Sequence, residues 1–284
     1  MNTSSDILDL GDLKGRLLVF GGPYSNLQAL EELKRIAEEQ GIPPRNIICT
    51  GDIIGYCAQP EEAVQLVKGW GIHSIQGNVE QNIIAGEDDC GCNFTEGSRC
   101  DLFSRTWFPY AVRSVSDVSS EWLSTLPLHL TFRYAGKSVA VVHGSAQHIS
   151  QFVFKSTPWS VKEETFRATG TDVILAGHAG LPFVDVQENK YWLNAGVIGM
   201  PANDGTPRVW YLLLDDTDSQ FTYSFEAFTY DNQSAHQRML GNQLPSTYAE
   251  TLITGIWDNC EILPEVEKRL QGLAIELESL VGKS

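Results

Sequence analysis

The sequence predicts an α/β protein in which two sheets pack face to face with helices on the outside. Three observations carry that expectation. From residue 16 to residue 76, short apolar runs alternate with helical periodicity, the β-α-β-α-β pattern of a parallel or mixed sheet with helices packed on it. From residue 130 the apolar period changes towards two, the signature of hairpins. Several of the short strands also stop at a glycine with one polar residue beside it, which is where open α/β sheets bind ligands.

Residues 16–20 read as the first strand, broken by Gly21, Gly22 and Pro23. Ser25 followed by Gln28 reads as a capping box. Leu27, Leu30, Leu33 and Ile36 then recur at helical spacing, and Gly41 stops that helix. Residues 47–49 form a buried strand that ends at Gly51-Asp52. Pro60 opens a second helix with Ala63, Val64, Leu66 and Val67 on its buried face. Residues 71–76 are a strand ending in Gly77-Asn78. Residues 88–101 are polar and rich in Gly and Cys, and read as a loop. Residues 107–126 read as largely helical, up to Pro127. Three hairpins follow: 130–134 with 138–143, 183–186 with 191–194, and 208–214 with 221–228. Residues 160–168 read as a helix, and 172–176 as a buried strand ending at Gly177-His178. From about residue 231 the tail reads as helical, its last helix starting at Leu263-Pro264. No repeat or linker divides the chain, so residues 1–284 are expected to form one domain.

Composition narrows the function. The chain has 284 residues, 42% hydrophobic and 10% aromatic, enough for a full core. Its net charge of −16 argues against a nucleic-acid duplex as partner. No run of eighteen apolar residues exists, so no membrane span is expected. The N-terminus lacks the basic and apolar regions of a signal peptide, and a cytoplasmic location is the expectation. Of the six cysteines, Cys49 lies inside an apolar strand and reads as an inert core thiol.

Four polar residues stand beside glycines at predicted strand ends: Asp52 after Gly51, Asn78 after Gly77, His143 before Gly144, and His178 after Gly177. Glycine there lets the backbone approach closely and leaves room for an ion. One carboxylate, one amide oxygen and two imidazoles make a four-ligand set for one divalent ion, Mn, Zn or Fe. Four unrelated polar strand ends are the alternative.

These residues and their neighbours resemble the calcineurin-like metallophosphoesterases. That family carries D-x-H, G-D, G-N-H followed by an acid, a later H, and G-H-x-H. This chain has Gly22-Pro23-Tyr24, Gly51-Asp52, Gly77-Asn78-Val79-Glu80, His143-Gly144 and Gly177-His178-Ala179-Gly180. Asn26-Leu27, the G-D-x-x-x-Y stretch ending at Tyr56, and the turn from Asn194 to Gly199 also match. The resemblance spans about residues 17–215. It implies a four-layer α-β-β-α sandwich of the metallophosphoesterase type.

The departures fall on one side of the site. In the family two ions share the aspartate that matches Asp52. The private ligands of the first ion are replaced by Gly22, Tyr24 and Gly180. Those of the second persist as Asn78, His143 and His178. The histidine that assists the leaving group is replaced by Val79. Glu80 stands where the acidic partner of that histidine would sit, with nothing left to orient. Two-ion hydrolysis uses ions about 3.5–4 Å apart, so the resemblance implies a metal-dependent phosphoesterase with one retained ion. Asp52, Asn78 and His143 would serve catalysis. Tyr24 is a candidate proton or hydrogen-bond donor, or a ring that fills the vacated volume. A small phosphate-containing substrate or ligand is the implied partner. The alternative is an inactive binding or regulatory protein on the same fold.

A third arrangement would rebuild the site from the insert at about residues 86–102. Cys90, Cys92 and Cys100 offer three soft ligands for a second metal or redox site, without the C-x₂-C spacing of strong zinc motifs; free thiols, or one local disulfide stabilising an irregular loop, are the alternative. His148, five residues after His143, is a candidate to border the pocket.

Overall fold

The computed structural model describes residues 6–277, apart from Asn93. The chain runs β1 (Ile7–Asp12), β2 (Leu17–Phe20), α1 (Leu27–Glu39), β3 (Ile47–Cys49), α2 (Pro60–Trp70), β4 (His73–Ser74), α3 (Asn78–Ala85), α4 (Arg99–Ser114), α5 (Asp117–Leu123), β5 (His129–Tyr134) and β6 (Lys137–Val142). It continues through α6 (Trp159–Thr169), β7 (Val173–Ala176), β8 (Pro182–Gln187), β9 (Lys190–Ala195), β10 (Val209–Asp215), β11 (Thr222–Phe228), α7 (Asn232–Gly241), α8 (Ser246–Thr254) and α9 (Glu265–Lys268).

Two sheets organise these elements. One has the strand order β1-β5-β6-β7-β9-β8, the other β11-β10-β2-β3-β4. The strand period of two explains the layering. In β2, Leu17 and Val19 face the other sheet and share a core with Val141, Leu175 and Leu193. Leu18 and Phe20 face outward and pack with Leu30, Leu33 and Val64 of the helices. On the far sheet, Val142, Ile174 and Trp192 pack against Phe166 of α6. Helix, sheet, sheet, helix is the resulting sandwich, as the sequence predicts.

Several local expectations need correction. Ser25 is not the cap of α1. Asn26 is the N-cap, its side chain accepting from the Ala29 amide at 3.3 Å, while the Ser25 hydroxyl accepts from the Gly55 amide at 3.0 Å. Asn78 does not end a strand; it opens α3, because β4 is only two residues long. The Cys-rich insert is irregular only as far as Ser98, whose side chain caps α4. The helix expected over 107–126 therefore starts earlier and breaks between Ser114 and Asp117. The tail is helical only in part, since the chain is irregular between α8 and α9. The strand β1 went unread in the sequence. It pairs in parallel with β5, and its side chains are mostly exposed, so it lacks an apolar alternation. No helix among the described residues is long and apolar enough to cross a membrane.

The inter-sheet core holds the two sheets together. Leu175 is fully buried there, and Leu175→Ala should lower unfolding free energy by about 2–5 kcal/mol in urea titrations. A loss below about 1 kcal/mol would contradict this placement of β7.

Candidate functional site

The site forms where β3, β6 and β7 end and α3 begins. Asp52 follows β3 with φ +54, a left-handed conformation that costs a non-glycine residue about 1–3 kcal/mol. His178, after β7, has φ +58. Two glycines make the approach possible. A Cβ on Gly77 would lie 2.0 Å from Asp52 Oδ1, and one on Gly51 would lie 2.6 Å from the Gly77 nitrogen. No side chain can stand at either position while the two turns remain in contact.

Glu80 holds those turns together. It is fully buried, and its carboxylate accepts from the amides of Asp52 (2.8 Å), Gly77 (2.8 Å) and Ile54 (3.0 Å). The expectation that Glu80 has nothing to orient is thus corrected: it positions the backbone of the aspartate itself. Burial first, then the neighbouring Asp52 charge, push its carboxyl above the usual carboxylate range. The Ile54 and Gly77 amides and the His143 charge offset part of that rise.

Four side chains converge on one atom. His143 Nε2 lies 3.1 Å from Asn78 Oδ1, 3.2 Å from Asp52 Oδ2 and 3.2 Å from His178 Nδ1. His143 Nδ1 lies 2.7 Å from the carbonyl oxygen of Thr50, so it carries the hydrogen and donates it there. That leaves Nε2 facing three further acceptors. Like-signed acceptors at this spacing repel unless positive charge lies between them. One proton on Nε2 serves only one of the three. A divalent cation serves all four, and bonds of 2.0–2.2 Å in a tetrahedral set imply ligand–ligand edges of about 3.4 Å. The ligand atoms of Asp52, His143 and His178 all lie within 4.8 Å of one another, and all three residues are buried. The donor set therefore fits one divalent ion.

The two imidazoles differ. Burial pulls His143 down, but the Asp52 charge, its hydrogen bond and the Thr50 carbonyl together carry it above its ordinary value. Burial, then the His143 charge, pull His178 down to about 3, so it stands neutral with a lone pair free for an ion. Its Nε2 is buried without a hydrogen-bond partner among the described residues. The ring of Phe152 covers it with centroids 4.2 Å apart. Asn194 fixes the turn below, donating to the Gly177 carbonyl at 2.7 Å and accepting from the Gly196 amide at 3.0 Å.

The other half of the site is filled. A Cβ on Gly22 would lie 2.6 Å from Cζ of Tyr24, so the phenol ring covers the space a side chain at position 22 would need. A Cβ on Gly180 would meet the Trp257 indole at 3.5 Å. Tyr24 is buried, has φ +50, and packs edge-on against Tyr56 with centroids 4.7 Å apart. Burial pushes its phenol well above its ordinary value, which keeps it protonated.

A domain model described as the calcineurin-like phosphoesterase superfamily domain matches residues 24–219. The chain belongs to the calcineurin-like phosphoesterase superfamily. An uncharacterized protein of Methanocaldococcus jannaschii is 26% identical over 260 residues, covering 86% of this chain and 99% of that protein. Among solved structures, a hypothetical protein from Pyrococcus horikoshii OT3 superposes with a TM-score of 0.69 at 20% identity, covering 85% of this chain and 99% of the other. A metallophosphoesterase from Sphaerobacter thermophilus gives 0.66 at 22% identity, covering 86% and 100%. At these identities the structural likenesses speak for the fold.

A cavity of about 80 Å³ opens beside the superfamily site, room for two or three waters. Tyr24, Asp52, Tyr56, His178, Tyr248 and Trp257 are among its lining residues, and no described lysine or arginine is. Tyr248 and Trp257 come from the tail, where the sequence offered only helical periodicity and no sign of a site. Thr50 and Phe152 were also missed. Thr50 acts through its backbone, which carries no sequence signal, and Phe152 reads as an ordinary apolar residue. The exposed His148 is not among the lining residues.

The three cysteines of the insert do not act as one set. Cys90 and Cys92 pair with each other, with Cα atoms 5.4 Å apart. Cys100 sits on α4, donates to Asn259 Oδ1 at 3.3 Å, and burial pushes its thiol up to about 11. Among the described residues, the group of ionisable side chains placed to hold an ion is Asp52, His143 and His178, not the cysteines.

Glu80→Gln replaces one accepting oxygen with an amide that cannot accept from three backbone donors. It should weaken Mn²⁺ binding by roughly 10–100-fold and cost about 1–3 kcal/mol of stability in denaturant. Unchanged affinity would remove Glu80 from its positioning role.

Proposed function

We propose that this protein is a metal-dependent phosphoesterase that hydrolyses a phosphate mono- or diester at a single divalent ion, Mn, Zn or Fe, held by Asp52, Asn78, His143 and His178. The convergence of three acceptors on Nε2 of His143 carries this reading. When bound, the ion would polarise a phosphoryl oxygen and lower the pKa of a water.

The chain's own groups have separate tasks. Thr50 fixes the His143 tautomer through its carbonyl. Glu80 holds the Asp52 backbone. Tyr24, protonated and in the cavity wall beside Asp52, is the candidate hydrogen-bond donor to the leaving oxygen. It takes over the part that Val79 cannot play. The aromatic wall leaves few polar groups to compete for the phosphate. A small phosphate-bearing molecule is the partner this cavity favours.

One observation favours a second reading, an ion-binding protein on the same fold that does not catalyse. No described lysine or arginine lines the cavity to neutralise a phosphate. Turnover separates the two readings. With added Mn²⁺, p-nitrophenyl phosphate or its diester should be hydrolysed, and His143→Ala should reduce turnover to background. Tyr24→Phe should keep the ion and lower kcat by roughly 10²-fold. Absence of turnover on mono- and diesters in an ion-loaded protein would overturn the enzyme reading and leave the second. An unchanged kcat in Tyr24→Phe would return that ring to packing alone.

A further inference from the structure

The Asn78 amide has two ends, and both are engaged. Its oxygen faces His143 Nε2 at 3.1 Å, in the proposed ligand set. Its nitrogen donates to the carbonyl oxygen of Cys90 at 2.7 Å and lies 3.3 Å from Cys92 Sγ. The orientation of the proposed ligand is therefore set by two residues of the insert. Turned over, the same amide would present donors to the ion position and lose its place in the set.

The carbonyl that receives the amide is part of a small ring. Cys90 and Cys92 are joined through their sulfurs with only Gly91 between them, so the Cys90 carbonyl lies inside the closed loop. Gly91 has φ +66, in the left-handed region open to glycine. While the ring is closed, that carbonyl has few orientations. Once it opens, Gly91 regains the backbone freedom that glycine has more of than other residues. Other ties hold the Gly91 side of the loop: the Gly91 amide donates to Asp89 Oδ1 at 2.7 Å, the Ser150 hydroxyl donates to the Gly91 carbonyl, and Asn82 donates to the Asp89 carbonyl at 3.0 Å, whereas the ring closure constrains the Cys90 carbonyl that faces Asn78. Cys92 also lines the cavity that holds Asp52 and His178.

We propose that Cys90 and Cys92 are a redox-active pair that controls ion affinity by clamping the Asn78 amide. This rests on the single-ion reading of the site. In the oxidised form the ring holds the Cys90 carbonyl against Asn78 Nδ2, and Asn78 Oδ1 stays on the ion position. Reduction by a dithiol supplies two electrons and two protons. The sulfur–sulfur bond breaks, Cys90 and Cys92 become thiols, and the reductant leaves as its own disulfide. The carbonyl is then free to move, the amide loses its fixed partner, and the ion is held by fewer ordered ligands.

Mn²⁺ is the probe, because it favours oxygen and nitrogen ligands over thiolates. Its free concentration is read by electron paramagnetic resonance, with thiols counted in each sample. Protein reduced with a trialkylphosphine should bind Mn²⁺ roughly 10–100-fold more weakly than the oxidised protein, the usual effect of losing an outer partner of a ligand. The double variant Cys90→Ser/Cys92→Ser should bind as the reduced protein does, whether or not phosphine is present. Equal affinity in oxidised and reduced wild type would overturn the clamp while leaving the ion site intact. Tighter binding after reduction, lost in the double variant, would also overturn it and make a freed thiolate a ligand. If oxidised protein bound no Mn²⁺ at all, the ion reading would fall first and the clamp with it.

Discussion

The Glu80 carboxylate joins the two turns on which the site depends. By accepting from Asp52, Ile54 and Gly77 it draws together the end of β3 and the start of α3. Gly51 and Gly77 permit the contact, and no larger residue fits at either place. The cost is a buried carboxylate beside another carboxylate, a poor arrangement unless positive charge compensates it. His143, lifted above its ordinary value by Asp52, supplies part of that charge. A divalent ion would supply more. The site is thus organised around a need for cationic charge, and the fold spends a strained Asp52 and a strained His178 to present it.

One side of the site is packed with aromatic rings. Gly22 lies under the ring of Tyr24, and Gly180 lies against Trp257. These replacements fit one another. Aromatic rings from the first loop and from the tail stand there, and the cavity wall is largely apolar as a result. A side chain restored at position 22 would collide with Tyr24, so a second ion would need the tyrosine to move as well. This filling of one side, with Asp52, Asn78 and His178 gathered around His143 on the other, supports the proposed single-ion reading.

Much of the fold was legible because strand and helix periods alternate clearly from Leu17 to Phe228. The exposed strand β1 was not, since mostly exposed side chains leave no period-two pattern. At the site, Asp52, Asn78, His143 and His178 were legible as polar residues beside glycines, although Asn78 opens a helix rather than ending a strand. What could not be read is what acts through backbone or through folding at a distance. The Thr50 carbonyl that fixes His143, the amides that Glu80 collects, and the Cys90 carbonyl that holds Asn78 are all main-chain groups or their partners. Trp257 reaches the site from more than seventy residues beyond His178, and only the folded chain brings them together.

The central claim is one ion held by the residues that converge on His143. The most direct measurement is elemental mass spectrometry of purified wild-type protein and of His178→Ala, each after incubation with Mn²⁺ and removal of the excess. About one ion per chain in the wild type, lost in His178→Ala, is the expected result. Two ions per chain, or a full complement retained by His178→Ala, would contradict it.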